Sequence, residues 1–374
     1  MYTVKEAQAL LGSLPRQSLG FYPTPLHRLD RLSAQLGVNL YIKRDDFSGI
    51  SLFGGNKVRK LEYLLGQAVA QGCDSVITFG ATQSNHAMQT AAAARRCGLQ
   101  PILFLVDLVD TREARANLLL DSLYDAEIHI VPAPDGEEAA EARSRQLADA
   151  RIKELEREGR RVALIPMGGA SAVGSAGFIG GWLELREQCQ QLSIAPDYVF
   201  QATGTGSTLA GMVAGKAMTG GRPQLVGVQD SGQDTGHEHA HDAQLVAVQV
   251  SPKDGGYAGR ITRLANEALQ LIGAKATATE QLFKLDADHW APGYEQPNEK
   301  ANEAIRLLAR TEGLLADPVY TGKALAGMLS WIKDGRVPNG STVVFLHTGG
   351  ATALFSERQI IGSLGSFDPR GAMK

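Results

Sequence analysis

Residues 75–86 read Ser75-Val76-Ile77-Thr78-Phe79-Gly80-Ala81-Thr82-Gln83-Ser84-Asn85-His86, and this stretch shows how the chain is built. Its first five residues predict a buried strand, the small and polar residues after Phe79 predict a turn, and the alanine-rich residues 85–96 predict a helix. The same order recurs along the 374 residues. Short strands that alternate with longer helices are typical of a parallel sheet covered by helices, so the predicted fold class is α/β.

Working outward from this unit, the patterns place elements over most of the chain. The predicted strands are Leu40–Lys43, Ser75–Phe79, Ile102–Val106, Glu127–Val131, Val162–Ile165, Tyr198–Gln201, Leu225–Val228 and Thr342–Leu346. The predicted helices are Lys57–Gln71, Asn85–Arg96, Glu137–Glu158, Gly174–Gln190, Ser207–Lys216, Asn298–Glu312 and Thr321–Lys333. Ligands bind beyond the carboxyl ends of the strands in such sheets, so the strand-to-helix turns are the places to look for chemistry.

Composition narrows the possible functions. The formal net charge is −3, with 44% apolar and 21% charged residues, and no basic run appears, so a nucleic-acid partner is not expected. No apolar stretch is long enough for a membrane span or a signal peptide. The cysteines, Cys73, Cys97 and Cys189, are far apart, which argues against a disulfide framework or a structural zinc site. We expect a cytoplasmic enzyme of two lobes with a cleft between them.

One lysine lies directly behind a pair of glycines, in Gly54-Gly55-Asn56-Lys57. The glycines would permit unusual backbone angles and the close approach of a flat ring. Asn56 is a candidate N-cap, and the apolar residues after Lys57 recur at helical spacing, so the helix would hold the lysine backbone rigidly. An aldehyde cofactor needs such an amine. The alternative is an ordinary solvated lysine at a helix start.

Two turns are suited to anions. Ser84 or Asn85 would cap the helix after the strand that ends at Phe79, and unpaired amides at that helix start suit a carboxylate or a phosphate. His86, the next residue, is a candidate for binding or catalysis. The alternative is a histidine that only stabilises the turn. The second turn comprises Thr203, Gly204, Thr205, Gly206, Ser207 and Thr208. It suits one phosphate group, because a third glycine for dinucleotide binding is missing. Asp230 follows this turn at about the spacing of the acid that binds the ribose in dinucleotide sites, so a nicotinamide cofactor is the alternative.

Later turns add hydroxyl groups. Thr348 follows the last predicted strand, and Tyr294 and Tyr320 lie in predicted loops, where a phenol can donate or accept a proton or simply pack. Three alternating histidines, His237, His239 and His241, lie in the polar segment 230–242. They lack the cysteines or spaced carboxylates that would fix a metal site, so no metal is expected.

Seven ordered segments resemble the pyridoxal-phosphate family of fold type II that includes D-cysteine desulfhydrase, L-cysteate sulfo-lyase and aminocyclopropane-carboxylate deaminase. The resemblance runs through nearly the whole chain. Its segments are Tyr22-Pro23-Thr24-Pro25-Leu26, Ile42-Lys43-Arg44-Asp45-Asp46, Gly54-Gly55-Asn56-Lys57, Gln83-Ser84-Asn85-His86, Thr205-Gly206-Ser207-Thr208, Asp317-Pro318-Val319-Tyr320 and His347-Thr348-Gly349-Gly350.

This resemblance implies a cofactor, pyridoxal 5′-phosphate, and a role for each candidate residue. Lys57 is implied as the lysine that binds the cofactor covalently and later acts as the base, with Ser84, Tyr294 and Tyr320 as the other catalytic residues. The implied cofactor contacts are Asn56, Lys57, Asn85, Thr203, Gly204, Thr205, Gly206, Ser207, Thr208 and Thr348. The implied substrate contacts are Ser84, Asn85, His86 and Tyr294.

The resemblance also implies a homodimer of two-lobed subunits, each lobe being a mostly parallel sheet flanked by helices. The expected large cofactor-binding domain comprises residues 1–59 and 168–374, and the expected small domain is the insertion 60–167. Thr321 and Thr348 are typical of the desulfhydrase and sulfo-lyase branch, because the deaminases have glutamate and leucine there. The implied reaction is α,β-elimination from a small amino acid, foremost D-cysteine. The alternatives are L-cysteate sulfo-lyase, aminocyclopropane-carboxylate deaminase, an amino-acid racemase and a non-catalytic nucleotide-binding module.

Two positions depart from the branch. Met88 replaces its usual arginine, and Glu295 follows Tyr294 where the branch has glycine. If Glu295 faces the substrate, an anionic substituent would be disfavoured and a neutral or cationic one favoured. The alternative is that both residues point to solvent.

Overall fold

A computed structural model describes residues 1–49, 54–220 and 243–365. Its larger sheet has six strands, in the order β1 (Leu26–Arg28), β2 (Asn39–Arg44), β10 (Thr342–His347), β7 (Tyr198–Thr203), β8 (Gln244–Gln249) and β9 (Phe283–Asp286). Only the pairing of β1 with β2 is antiparallel within this sheet of the described residues. The carboxyl ends of the five parallel strands therefore share one edge.

The smaller sheet is entirely parallel. Its order is β5 (Glu127–Pro132), β4 (Gln100–Asp107), β3 (Ser75–Ala81) and β6 (Val162–Leu164). In the central strands β3 and β4, the side chains of Val76, Ile77, Ile102 and Leu103 are fully buried, which is why these strands read as continuous apolar runs. All four strands lie within the range 60–167.

Helices cover both sheets. They are α1 (Val4–Leu11), α2 (Asp30–Leu36), α3 (Asn56–Ala70), α4 (Asn85–Arg96), α5 (Ala116–Leu123), α6 (Glu137–Arg157), α7 (Ala172–Gln191), α8 (Ser207–Thr219), α9 (Tyr257–Leu271), α10 (Glu299–Glu312), α11 (Thr321–Lys333) and α12 (Arg358–Ile361). The predicted α/β class, with two mostly parallel sheets flanked by helices, is confirmed.

A buried ion network fixes helix α3 against the larger sheet. The Arg59 guanidinium donates to Asp45, which follows β2, at 2.8 Å and to Glu184 of α7 at 2.8 Å. Lys43 of β2 also pairs with Glu184. Removing one partner of a buried network leaves an uncompensated charge, so these residues strongly constrain where α3 begins.

Several sequence expectations need correction. Asn56 is not the N-cap of α3, because the cap is Gly55 and the helix already includes Asn56. Strands β1, β8 and β9 were not predicted. Strands β1 and β9 are short and partly exposed, and both lie at edges of the sheet, whereas β8 is a buried inner strand. The predicted strand Leu225–Val228 lies outside the described residues.

Candidate active site

A cleft between the two sheets collects the predicted site residues. It opens at the carboxyl ends of β3 and β4 on one side and of β7, β8 and β10 on the other. The cleft is lined by Asn56, Lys57, Ser84, Asn85, His86, Thr203, Gly204, Thr205, Gly206, Thr208, Tyr294, Tyr320 and Thr348. Ser207 is the one predicted residue that lies behind this lining, fully buried.

Lys57 is the second residue of α3 and extends into the cleft. Its Nζ donates to the Asn56 side-chain oxygen at 3.1 Å and lies 5.9 Å from the centre of the Tyr320 ring. Burial lowers the pKa of the Lys57 amine to about 8, although the Asp317 carboxylate acts in the opposite direction. Removing a charged amine from water favours its neutral, nucleophilic form.

The glycines before Lys57 allow their backbone to approach the backbone of Thr348 and Gly349 closely. A Cβ on Gly55 would lie 2.9 Å from the Thr348 carbonyl oxygen and 2.8 Å from the Gln89 side-chain nitrogen. Gly55 pairs with Gly349 in an isolated antiparallel bridge, and the Asn56 amide donates to the Thr348 carbonyl at 3.1 Å. Gly55 has extended backbone (φ 163°), so the expected need for unusual angles is wrong at this position.

The turn between β7 and α8 forms a cup for an anion. Gly206, the N-cap of α8, has φ 94°, and no side chain caps this helix. Amides at an uncapped helix start point outward and carry partial positive charge. The Asn56 side-chain nitrogen donates to the Thr208 hydroxyl at 2.9 Å, which ties the lysine helix to this cup.

Two residues at the cup were missed by the sequence reasoning. Lys60, 2% exposed, donates to the Ser207 hydroxyl at 2.7 Å and to the Gly168 carbonyl at 3.2 Å. Burial, and then the charge of Lys57, hold the pKa of Lys60 well below its usual range. The Tyr257 hydroxyl bonds to Thr203 at 2.7 Å. Only the spacing of Lys60, one helical turn after Lys57, signalled a second cation.

The start of helix α4 lines the same cleft as the cup. Ser84 is its N-cap, as expected, and its hydroxyl accepts from the Ala87 amide at 3.2 Å. The Asn85 side-chain oxygen accepts from Asn117 at 2.8 Å. His86 is buried, with Nε2 2.9 Å from the Thr78 hydroxyl, and burial with the charges of two lysines keeps its pKa well below the usual value. His86 is therefore neutral.

Two phenols meet in the cleft beside the cup, where a Cβ on Gly204 would lie 3.8 Å from the Tyr320 ring. The Tyr294 and Tyr320 hydroxyls are hydrogen-bonded to each other, and their rings cross at 71°. Burial raises the pKa of both phenols. Asp317 fixes Tyr320, because its carboxylate accepts from the Tyr320 amide at 2.8 Å and from the Thr321 hydroxyl at 2.6 Å.

The two departures noted in the sequence are both buried, so the idea that they point to solvent is wrong. Met88 is 0% exposed on α4 and does not line the cleft. Glu295 is 2% exposed. Burial, followed by the charges of Glu137, Glu357 and Asp107, raises the pKa of the Glu295 carboxyl to about 8.

Within residues 1–49, 54–220 and 243–365, no three His, Cys, Asp or Glu side chains are placed to share a metal ion. The histidines His237, His239 and His241 and the acidic residue Asp230 lie outside the described residues. The three cysteines are free. In the same described ranges, none of the helices has the length and apolar character needed to cross a bilayer.

A family model described as "Pyridoxal-phosphate dependent enzyme" matches residues 17–349. The chain belongs to this family. A D-cysteine desulfhydrase of Serratia proteamaculans (strain 568) is 38% identical over 355 residues, which cover 93% of this chain and 98% of the relative. A D-cysteine desulfhydrase of Salmonella newport (strain SL254) is 37% identical over 351 residues, covering 92% and 97%.

Among solved structures, the crystal structure of an "ACC deaminase homologue" is similar, with a TM-score of 0.78 and 33% identity. It covers 95% of this chain and 97% of its own. The two sequence relatives and this solved structure therefore each match nearly the whole chain. This member of the pyridoxal-phosphate family is a lyase with the fold type II arrangement, and pyridoxal phosphate is its cofactor.

The donor set of the cleft fits this cofactor. A phosphate needs backbone amides and a cation, which the uncapped start of α8 and Lys60 provide. An aldehyde needs an amine, and the amine of Lys57 reaches the same cleft. A left-handed glycine at Gly206 lets the backbone turn its amides toward the anion, where a Cβ would lie 3.2 Å from Ile261.

Proposed function

We propose that this pyridoxal-phosphate-dependent lyase catalyses α,β-elimination on a small amino acid, foremost D-cysteine, which it converts to pyruvate, ammonia and hydrogen sulfide. The observation that carries the proposal is the position of Lys57, whose amine enters the same cleft that the anion cup and the pair of phenols line. The names of the relatives support the substrate.

Pyridoxal phosphate, when bound, supplies an aldehyde that joins to amines and a ring that accepts the electron pair left at Cα. The remaining work falls to the protein. The cofactor phosphate would be held by the turn from Thr203 to Thr208 together with Lys60, and Asn56, Asn85 and Thr348 would contact the rest of the cofactor. The hydroxyl of Thr348 is neutral, so it would not hold a proton on the ring as a carboxylate would.

Lys57 is the proposed base that removes the Cα proton. With an ordinary pKa, about one lysine in a thousand is neutral at pH 7.5, whereas roughly a quarter is neutral when the pKa is about 8. Burial thus raises the reactive fraction by more than two orders of magnitude. The Lys57 amine lies 5.9 Å from the centre of the Tyr320 ring, so the proposed base is close to a phenol that can donate a proton.

The other catalytic and substrate-binding residues have proposed roles at the two ends of the substrate. Ser84, Asn85 and the neutral His86 would bind the substrate carboxylate at the start of α4, where helix amides favour an anion. Tyr294 and Tyr320 would orient the β-substituent, and one hydroxyl of their pair would protonate the departing sulfide.

The replacement of Lys57 by alanine tests the proposal. The Lys57→Ala variant should lose both the visible absorbance of the bound cofactor and pyruvate production from D-cysteine, by more than 1000-fold in kcat. Lys333→Ala, at the exposed end of α11, is the matched control and should behave as the parent. Full activity of Lys57→Ala would contradict the assignment.

Product analysis separates the alternative reactions. Ring-opening deamination of aminocyclopropane-carboxylate, which the structural similarity to a deaminase homologue keeps as the second candidate, yields 2-oxobutyrate. A sulfo-lyase releases sulfite, and a racemase changes chirality without releasing ammonia.

We also propose that the enzyme is a cytoplasmic homodimer whose small domain, residues 60–167, is inserted in a large domain of residues 1–59 and 168–374.

A further inference from the structure

Lys323 is a buried lysine that the proposed mechanism does not use. It lies on α11, one helical turn after Tyr320, and is 0% exposed. Its Nζ donates to three backbone carbonyls, those of Gly293 at 2.7 Å, Trp290 at 3.1 Å and Val250 at 3.2 Å. An ammonium group has three N–H donors, so these bonds satisfy all of them. We call the three carbonyls the carbonyl cage.

The carbonyl cage joins two segments of the chain that both reach the cleft. Gly293 directly precedes Tyr294, which lines the cleft, and Val250 lines the cleft itself. The Val250 amide also donates to the Thr203 carbonyl at 3.2 Å, at the start of the phosphate cup. The Lys323 ammonium therefore links the loop that carries a phenol to the backbone beside the cup.

Helix α11 holds the Tyr294 loop at two neighbouring points. The Tyr320 hydroxyl bonds to the Tyr294 hydroxyl, and one turn further along the helix Lys323 bonds to the Gly293 carbonyl. The first bond fixes only the tip of the Tyr294 side chain, whereas the second fixes the backbone that carries it. A reacting group is held precisely when its supporting backbone is held as well.

The charge of Lys323 is not neutralised by contact. No carboxylate of the described residues bonds to its Nζ, and the Asp317 carboxylate bonds instead to the first amides of α11. Burial lowers the pKa of the Lys323 amine to about 8, with Asp317 acting in the opposite direction, so the amine is mostly protonated at neutral pH. Burying a charge is costly, and an apolar side chain could fill the same space without that cost. What the lysine adds is three directional bonds from one point.

The environment of the Lys323 ammonium is that of a monovalent cation. Carbonyl oxygens that converge on one point are typical ligands of a potassium ion in proteins. An ammonium group resembles a potassium ion in size and charge. A lysine can therefore occupy such a place while it stays attached to its helix.

We propose that Lys323 is a positioning residue, whose ammonium acts as a built-in monovalent cation that holds the carbonyl cage together and so places the Tyr294 hydroxyl in the cleft. The inference rests on the proposed function, in which the phenol pair orients the substrate and protonates the leaving group. It also implies that the parent enzyme needs no added monovalent cation.

Removing the Lys323 side chain should open the cage to a free cation. Lys323→Ala is assayed as the holoenzyme for pyruvate from D-cysteine, in chloride salts of tetramethylammonium, potassium or ammonium at about 100 mM. In tetramethylammonium, which is too large for the cage, kcat should fall by about 100-fold while the cofactor absorbance remains, because Lys57 is intact. Potassium or ammonium should restore kcat by at least about tenfold. The parent and Lys333→Ala, changed at the exposed end of the same helix, should vary less than about twofold among the salts.

Thermal unfolding adds a readout that does not depend on turnover. The Tm of Lys323→Ala should be higher in potassium than in tetramethylammonium by about 2 °C or more, relative to the same difference for the parent, because a bound ion stabilises only the folded state. The comparison with the parent removes the general effect of the salts. Lys333→Ala should behave as the parent.

A further pair of variants tests whether Lys323 acts through Tyr294. Lys323→Gln keeps a hydrogen-bond donor but no charge, and it should lower kcat by about tenfold or more in every salt. In the Tyr294→Phe background, the same substitution should lower kcat by less than about threefold, because the hydroxyl that it positions is already absent. A lysine that only stabilised the fold would have the same effect in both backgrounds.

Several results would overturn the inference and leave the proposed function standing. They are a parent-like kcat in Lys323→Ala and Lys323→Gln, a loss in Lys323→Ala that no salt restores and no Tm shift accompanies, an equal effect of Lys323→Gln in both backgrounds, and a parent enzyme that itself requires potassium. The absence of pyruvate from the parent in every salt would instead refute the proposed elimination, and the Tm comparison would then decide whether the cage takes a cation. If Lys323→Ala does not fold, Lys323→Gln in the two backgrounds still decides the matter.

Discussion

Lys60 is the buried charge that the sequence reasoning overlooked, and it has a direct consequence for cofactor retention. Its ammonium contacts the Ser207 hydroxyl and a carbonyl, but no carboxylate bonds to it among the described residues. Burial disfavours its charged form. A bound phosphate would restore that charge, so the cofactor and Lys60 should stabilise each other.

Lys60→Gln should therefore weaken binding of pyridoxal phosphate by 10-fold or more. Among the described residues, Lys60 is the only buried cation at the cup, so the cofactor phosphate would lose that partner. Equilibrium dialysis of the cofactor measures the change. The exposed Lys333→Gln serves as the control for a lost lysine charge. Unaltered cofactor affinity in Lys60→Gln would show that the helix amides alone hold the phosphate.

Glu295 links protein stability to pH. Its pKa is raised from the usual value of 4.5 to about 8 in the folded protein, so between these values the folded state keeps a proton that the unfolded state has lost. The free energy of unfolding therefore falls as pH rises from about 4.5 to 8. Below about pH 4.5, Glu295 is protonated in both the folded and the unfolded state, so its contribution to the free energy of unfolding is fully present and no longer changes with pH.

Glu295→Gln removes this dependence. Relative to the parent, the variant should gain stability on going from pH 5 to pH 8, by on the order of a few kcal/mol at most. Urea unfolding at several pH values measures the difference. Glu158→Gln, an exposed control, should show no such trend. Parallel stability curves for the parent and Glu295→Gln would mean that the buried carboxyl titrates normally.

At the scale of single elements, the start of helix α8 combines two requirements at Gly206. Its φ of 94° suits only glycine, and its position at the N-cap exposes the helix amides that form the cup. Gly313, the C-cap of helix α10, also has a left-handed φ, 69°, but lies where an added Cβ would meet nothing within 4 Å. Comparing substitutions at Gly206 and Gly313 therefore distinguishes the effect of backbone strain from the effect of losing the cup.

Gly206→Ala should destabilise the protein by about 1–2 kcal/mol and weaken cofactor binding at least tenfold. Gly313→Ala should cost a similar amount of stability and leave cofactor binding unaltered. Thermal unfolding and a cofactor titration on both variants give the comparison. Equal cofactor affinities in the two variants would argue that the cup does not depend on the backbone of Gly206.

Burial helped to make some of these elements predictable, but it did not decide all of them, because strand β8 was missed although five of its six residues are buried. Strand β4 was predicted within two residues at its start and one at its end, because both of its faces are covered and its apolar run is unbroken. Strand β9 was missed, because its burial alternates and it lies at a sheet edge. Helix α9 was also missed, although it has an amphipathic pattern.

At the scale of the whole molecule, the site residues were predicted by their turns and by family order, whereas their mutual contacts were not. Lys60 meets Ser207, 147 residues later, and Asn56 meets Thr208, 152 residues later. Such pairs depend on how two sheets pack, and a local pattern carries no information about that packing. The burial of Glu295 was hidden for the same reason.

The proposed homodimer makes a prediction for the entire particle. The mass of one chain is 39.9 kDa, so light scattering on the purified holoenzyme should give about twice this value. Exposed aromatic rings at Phe21, Phe47 and Phe355 are the kind of surface that a partner subunit covers. A mass equal to one chain at micromolar concentration would contradict the proposal.

The bridge between Gly55 and Gly349 has a consequence for biosynthesis. It joins residues that leave the ribosome nearly three hundred positions apart, and it carries the backbone directly before Lys57. A nascent chain that lacks its last strand can form the smaller sheet, but it cannot place the lysine against Thr348. Cofactor capture should therefore occur only after Gly349 has been translated, and the colour of the bound cofactor reports that strand β10 and the turn after it are in place.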